Sequence, residues 1–186
     1  MSATSSTDPN QNVMIISADC HAGAQPATYR EYLPEKLRSA YDEWQAAYEA
    51  EMEARTGTFY DQEAEDARNK DESVLRAIEG EWDPQMRVGQ LESDSIAGEV
   101  IFPQQAPFGG GLLQYRTKVD PAHNLEGQRA YNRWLADLCN ENPGRHAGVG
   151  MITVEDIDVA CKDTVAAKEM GLWGGILIPA GTGDNP

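Results

Sequence analysis

The chain is short of positive charge. Its 15 lysines and arginines stand against 31 aspartates and glutamates, a formal net charge of -16. A surface of that sign repels nucleic-acid phosphates and anionic lipid headgroups, so neither nucleic acid nor membrane is an expected partner. Much of the negative charge falls between Glu31 and Glu99 and reads as one solvated face. Cysteine is scarce as well. Cys20, Cys139 and Cys161 are odd in number and widely spaced, with no C-x-x-C, which leaves out a disulfide framework and a zinc knuckle. No apolar run approaches the length of a membrane span. The first dozen residues lack the basic start and apolar segment of a signal peptide and read as a disordered lead-in over 1–12. A reducing cytoplasm is the expected compartment.

What remains is ordinary globular material, 40% apolar and 25% charged, enough for one domain over 13–186. The stretch with most chemistry is Val13-Met14-Ile15-Ile16-Ser17-Ala18-Asp19-Cys20-His21. Its apolar run predicts a buried strand. Side chains alternate along a strand, so Asp19 and His21 share one face at its carboxyl end, where α/β folds gather ligands. A carboxylate oxygen and an imidazole nitrogen are both donors for a divalent metal. The plainer alternative is that Asp19 caps the following loop and His21 is solvated.

Downstream, Tyr32-Leu33-Pro34-Glu35 opens a helix. Leu37, Tyr41, Trp44, Tyr48 and Met52 recur along it at helical spacing as a core-facing stripe, and Gly57 is its expected stop. The acidic stretch over about 57–84, with a short helical pattern at Val74, Leu75 and Ile78, reads as an insertion or lid. Trp82-Asp83-Pro84 marks a turn before a helix from Met86 to Ile96. Glu99-Val100-Ile101-Phe102-Pro103 is a second buried strand. Pro107-Phe108-Gly109-Gly110-Gly111 is a flexible loop without the Lys-Ser/Thr of a phosphate-binding loop. A helix over Asn124–Asn140, a glycine-rich strand at Ala147–Ile152, a helix through Ile157, Cys161 and Val165, and a strand at Trp173–Pro179 complete the pattern. His123 is placed just ahead of a helix and exposed; His146 stands just ahead of the third strand. Continuous apolar strands alternating with amphipathic helices predict a parallel α/β sheet. Both an open four-stranded sheet and the first half of an eight-stranded barrel fit.

In order, Ser17-Ala18-Asp19-Cys20-His21, Tyr32-Leu33-Pro34, Trp82-Asp83-Pro84-Gln85-Met86-Arg87, Leu91-Glu92-Ser93-Asp94, Glu99-Val100-Ile101-Phe102-Pro103, Tyr131-Asn132-Arg133-Trp134-Leu135, Pro143-Gly144-Arg145-His146-Ala147-Gly148, Gly171-Leu172-Trp173-Gly174-Gly175-Ile176 and Gly183-Asp184-Asn185-Pro186 follow one another. With these pieces the sequence resembles the amidohydrolase-related family that includes the metal-dependent decarboxylases of aminocarboxymuconate semialdehyde and of hydroxybenzoates. The resemblance runs from Ile15 to Pro186. It implies a TIM (β/α)8 barrel, of which this chain is the amino-terminal part, and a mononuclear zinc or manganese site. Asp19 and His21 would take the place of the family's first-strand pair, with an aspartate standing where the His-x-His form has its first histidine. The aspartate would bind the ion directly or hold a ligand in place.

The family's remaining ligands, histidines on the fifth and sixth strands and an aspartate on the eighth, have no counterpart among these residues, and neither His123 nor His146 matches them. The resemblance therefore implies a hydrolase or decarboxylase of a small carboxylated or carbonyl substrate, inactive as this chain alone, commonly dimeric and dependent on the other half of the barrel. From their position after the second strand, Gln104 and Phe108 are expected to line the substrate pocket. The competing reading is a non-catalytic interaction module.

Overall fold

The structure, a computed structural model, describes residues 13–59, 67, 70–109 and 120–178. The lead-in over 1–12, part of the acidic insertion, Gly110 and Gly111, and the tail from 180 to 186 lie outside the described residues. The fold is mixed α/β. Four strands, β1 (Ile16–Ala22), β2 (Gly98–Pro103), β3 (His146–Met151) and β4 (Gly175–Leu177), pair in parallel in their sequence order. Between them run α1 (Pro26–Tyr32), α2 (Arg38–Phe59), α3 (Glu72–Glu79), α4 (Pro84–Ser93), α5 (Pro121–Glu141) and α6 (Ile157–Glu169). Short 3-10 turns occupy Glu35–Leu37 and Pro107–Gly109.

Part of the acidity has a local purpose that the pattern did not show. Asp71, Asp83, Asp120 and Asp156 each accept backbone N–H bonds at the start of α3, α4, α5 and α6. Such a cap contributes about 1 kcal/mol and satisfies donors that the helix itself leaves unpaired. Asp83-Pro84, read as a turn, is therefore a helix start with proline in the first turn, and α4 begins and ends earlier than expected.

Other expectations need correction. The run ahead of Asp19 is not buried: Val13 is 80% and Met14 76% exposed, and Ile15 and Ile16 are about half so. Val13, Met14 and Ile15 precede β1 and Ile16 opens it, and among the described residues β1 is paired on one side, by β2. The helix read from Tyr32-Leu33-Pro34-Glu35 is entered at its last residue, Glu35, with Pro34 as the cap, and a separate helix, α1, precedes it. The chain there is extended through Leu33 and Pro34 and re-enters helix through the 3-10 turn. Gly57 does not stop α2, which continues to Phe59; one helical glycine costs only about 1 kcal/mol. His123 lies inside α5, half-buried, its ring stacked on Phe108 at 4.6 Å. The third strand starts at His146 itself, and the fourth is confined to Gly175–Leu177, leaving Trp173 exposed.

The core lies between the sheet and α5. Tyr131, Trp134, Leu135 and Leu138 of α5 pack with Ala22, Ile101 and Leu172. Helix and sheet meet closely at Gly148, where a Cβ would sit 3.0 Å from Cys139 Sγ and 3.1 Å from the Leu135 side chain of α5. Gly127 brings α5 against the turn after β2, since a Cβ there would lie 2.2 Å from the carbonyl oxygen of Pro107. Asn132 ties the same helix to the end of β3, donating to the Met151 carbonyl at 2.7 Å and accepting from its N–H at 2.8 Å. Arg129 links α5 to Asp163 on α6. Together these contacts fix the carboxyl ends of β1, β2 and β3 relative to one another.

Candidate functional site

The pairing of β1 with β2 is irregular between Ser17 and Cys20 and regular from Cys20 to Ala22. Ala22 is in the core, and Cys20 donates to Ser17 Oγ at 3.0 Å on the same side. Asp19 and His21 point the other way, and the His21 ring lies 6.4 Å from that of Phe102 on β2. His21 Nε2 is 3.6 Å from Asp19 Oδ1, with the side chains 41% and 86% exposed. That separation is too long for a hydrogen bond. It is close to the edge of a tetrahedron around one ion: with bonds of roughly 2.0–2.1 Å, two ligand atoms lie about 3.4 Å apart. The pair therefore fits two positions of an N/O metal site. Among the described residues no group of three or more His, Cys, Asp or Glu is placed to hold a metal.

Beneath this pair, on the core side of the sheet, lies a charge cluster that the sequence did not reveal. Glu99 on β2 accepts from Arg87 Nε at 2.5 Å and Arg87 Nη2 at 2.9 Å, with the two side chains only 2% and 7% exposed. Glu99 also meets His146 Nδ1 at 2.8 Å. Burial opposes ionisation of Glu99. The hydrogen bond with His146 and the ion pair with Arg87 outweigh it and hold the carboxyl at about 2. Glu99 is thus a carboxylate at neutral pH, and His146 Nδ1 carries the proton it donates. The Nε2 of His146 is buried with no partner among the described residues. Arg87 Nη1 donates to the carbonyl oxygens of His21, at 3.1 Å, and Gly80, at 2.9 Å. A buried cation thereby holds the backbone of His21 from behind. The only sequence signal for this cluster was a glutamate opening a buried strand.

A cavity of about 260 Å³ opens at the carboxyl ends of β1 and β2. Its lining includes Tyr41, Trp44 and Tyr48 of α2, and Glu81, Trp82, Gln104 and Gln105 from the connections. Gln104 is one of its lining residues. Phe108 is buried in the core cluster and does not line this cavity. The α2 stripe divides: Tyr41 is buried in the core, while Trp44 and Tyr48 are only partly buried and all three rings reach the cavity. Asp19 and His21 do not line it, although Glu81 feels the His21 ring.

Neither thiol near the core is primed as a nucleophile. Burial raises Cys20, and raises Cys139 to about 11, so both are protonated at neutral pH. No protein-family model matches this chain, and no curated protein matches it.

Proposed function

We propose that the chain forms part of a metal-dependent hydrolase or decarboxylase of the amidohydrolase-related type, with Asp19 and His21 as two ligands of a zinc or manganese ion. The observation that carries this reading is the pair itself: oxygen and nitrogen donors 3.6 Å apart at the carboxyl end of a parallel strand, turned away from the core. When bound, such an ion activates water or orients a substrate carboxylate. The strand order adds support for a barrel segment. Successive parallel crossovers share one hand, so strands in simple sequence order collect their helices on one face. An open doubly wound sheet reverses order at its ligand crevice, and β1-β2-β3-β4 has no such reversal.

The test is metal content of this chain assembled with the other half of its barrel, after growth in zinc or manganese, compared with the same assembly carrying Asp19→Ala/His21→Ala, because two ligands alone do not close a tetrahedral site. Both side chains are exposed, so their removal leaves the fold intact. The reading requires bound metal in the parent protein and its loss from the variant. Equal metal in both proteins refutes it.

A further inference from the structure

We infer that the cavity between α2 and the carboxyl ends of β1 and β2 is a binding site for a small one-ring organic cation, such as an aromatic amidine or amine. Among the described residues of the cavity wall there is no lysine, arginine or histidine, and the one charged side chain is Glu81. Polar atoms come from the amides of Gln45, Gln104 and Gln105. The aromatic rings lie along one side in near-parallel array: Tyr41 and Trp44 are 5.8 Å apart and Trp44 and Tyr48 5.3 Å, tilted by 23° and 15°. Such an apolar aromatic wall, with a carboxylate as its one charge, favours a flat cation and disfavours an anion, because the carboxylate attracts the one and repels the other.

Glu81 is available for this purpose. The nearest guanidinium, Arg87, is engaged by Glu99 and by the carbonyls of Gly80 and His21. Among the described residues Glu81 forms no ion pair of its own. Burial raises its carboxyl above the ordinary range, against the opposing influence of Arg87, His21 and Gln104. A cationic ligand would supply the missing counter-charge. The backbone also holds this residue at the rim, through Gly23 N–H donating to the Glu81 carbonyl at 3.2 Å. Opposite it, Tyr48 donates to Gln105 Oε1 at 3.2 Å, and Tyr29 donates to the Gln105 carbonyl at 3.0 Å. These bonds fix the amide lining before any ligand arrives. A volume of about 260 Å³ suits one ring, being just under the roughly 300–1,000 Å³ of drug-sized pockets.

The site is separate from the Asp19–His21 pair, and its test is run in EDTA so that metal binding does not enter. Benzamidinium, benzamide and benzoate, alike in shape and different in charge, are titrated near neutral pH by calorimetry, with the fluorescence of Trp44 and Trp82 as a second readout. Benzamidinium is expected to bind at least about tenfold more tightly than benzoate. Glu81→Gln should weaken benzamidinium by about tenfold and leave benzamide within about twofold. Tyr48→Ala should weaken both. Thermal melts establish that the variants are folded, and the ligand ranking in the parent protein stands without them. Benzoate binding as well as benzamidinium, an unchanged benzamidinium affinity in Glu81→Gln, or no saturation by about 10 mM of any probe overturns the proposal.

Discussion

Replacing Arg87 by methionine removes four hydrogen bonds at once: two to the Glu99 carboxylate and one each to the His21 and Gly80 carbonyls. The larger consequence is electrostatic. Glu99 is 2% exposed and is left with the His146 N–H and the weakly donating Cys20 thiol. Breaking a buried ion pair from one side costs roughly 3–5 kcal/mol, because the remaining charge has neither water nor partner. The expected loss in urea unfolding near pH 7 is therefore about 4 kcal/mol. Removing both charges behaves differently. In Arg87→Met/Glu99→Gln the amide still accepts from His146 and no charge is stranded, so the double variant should recover to within about 2 kcal/mol of the parent.

Acid adds an independent check. The Glu99 carboxyl is depressed in the folded protein, from an ordinary 4.5 to about 2. A depressed carboxyl stabilises the fold fully above its unfolded value, and that contribution is lost as pH falls toward the folded value. A gap of 2.5 units corresponds to about 3 kcal/mol, of which about 2 is gone near pH 3. In Arg87→Met the buried carboxylate is relieved by taking up a proton, so that variant gains relative to the parent over the same range. The difference between the two proteins should narrow by about 2 kcal/mol or more between neutral pH and about pH 3. A difference below about 1 kcal/mol near neutrality, or one that widens in acid, refutes this account of the cluster.

Three further outcomes are expected. Asp19→Ala and His21→Ala should each shift unfolding free energy by no more than about 0.5 kcal/mol, because neither side chain packs in the core; a larger loss would make the pair structural. Gly127→Ala should destabilise by roughly 1–3 kcal/mol in thermal melts, because the added methyl meets the Pro107 carbonyl at 2.2 Å and both helix and turn must shift; an unchanged melting temperature would mean that α5 stands further from the turn. In mild alkylation with iodoacetamide near neutral pH, mass spectrometry should find exposed Cys161 modified first and Cys139 last, and early loss of Cys139 would contradict its burial.

Legibility from sequence followed the range of the interactions. The four strands and the helices between them, apart from α1 (Pro26–Tyr32), were visible because burial imposes a local period, and Asp19 and His21 could be put on one side of β1 because side chains alternate along a strand. Solvent exposure at the start of β1 was not visible: Val13 and Met14 are as apolar as a core run, yet nothing in their neighbours says that they stand 80% and 76% exposed. Helix ends at Asp83 and Gly57 were misjudged because one residue type serves two purposes, turn or cap, stop or tolerated interior. The Arg87–Glu99–His146 cluster and the Glu81 cavity were out of reach for a different reason. Their members are separated by 12 and 47 residues in one case, and contributed by α1, α2 and three connections in the other, so only the folded sheet brings them together.

The cluster also bears on how His21 is held. A buried ion pair is an inefficient way to stabilise a fold, since well-packed apolar residues of similar size generally do as well or better. What apolar residues cannot do is aim. Arg87 uses its rigid planar fork to fix Glu99 with two nitrogens while a third reaches the His21 and Gly80 carbonyls. The strand carrying one candidate ligand and the connection carrying Glu81 are thus referred to a single planar group. His146, paired with the same carboxylate, brings β3 into that reference. On this argument the Arg87→Met/Glu99→Gln protein separates two roles that the parent combines: its unfolding free energy returns most of the way, while the geometry at His21 and Glu81 does not. A double variant with near-parent stability should therefore still show weakened metal uptake at Asp19 and His21, and one with undiminished uptake would reduce the cluster to packing.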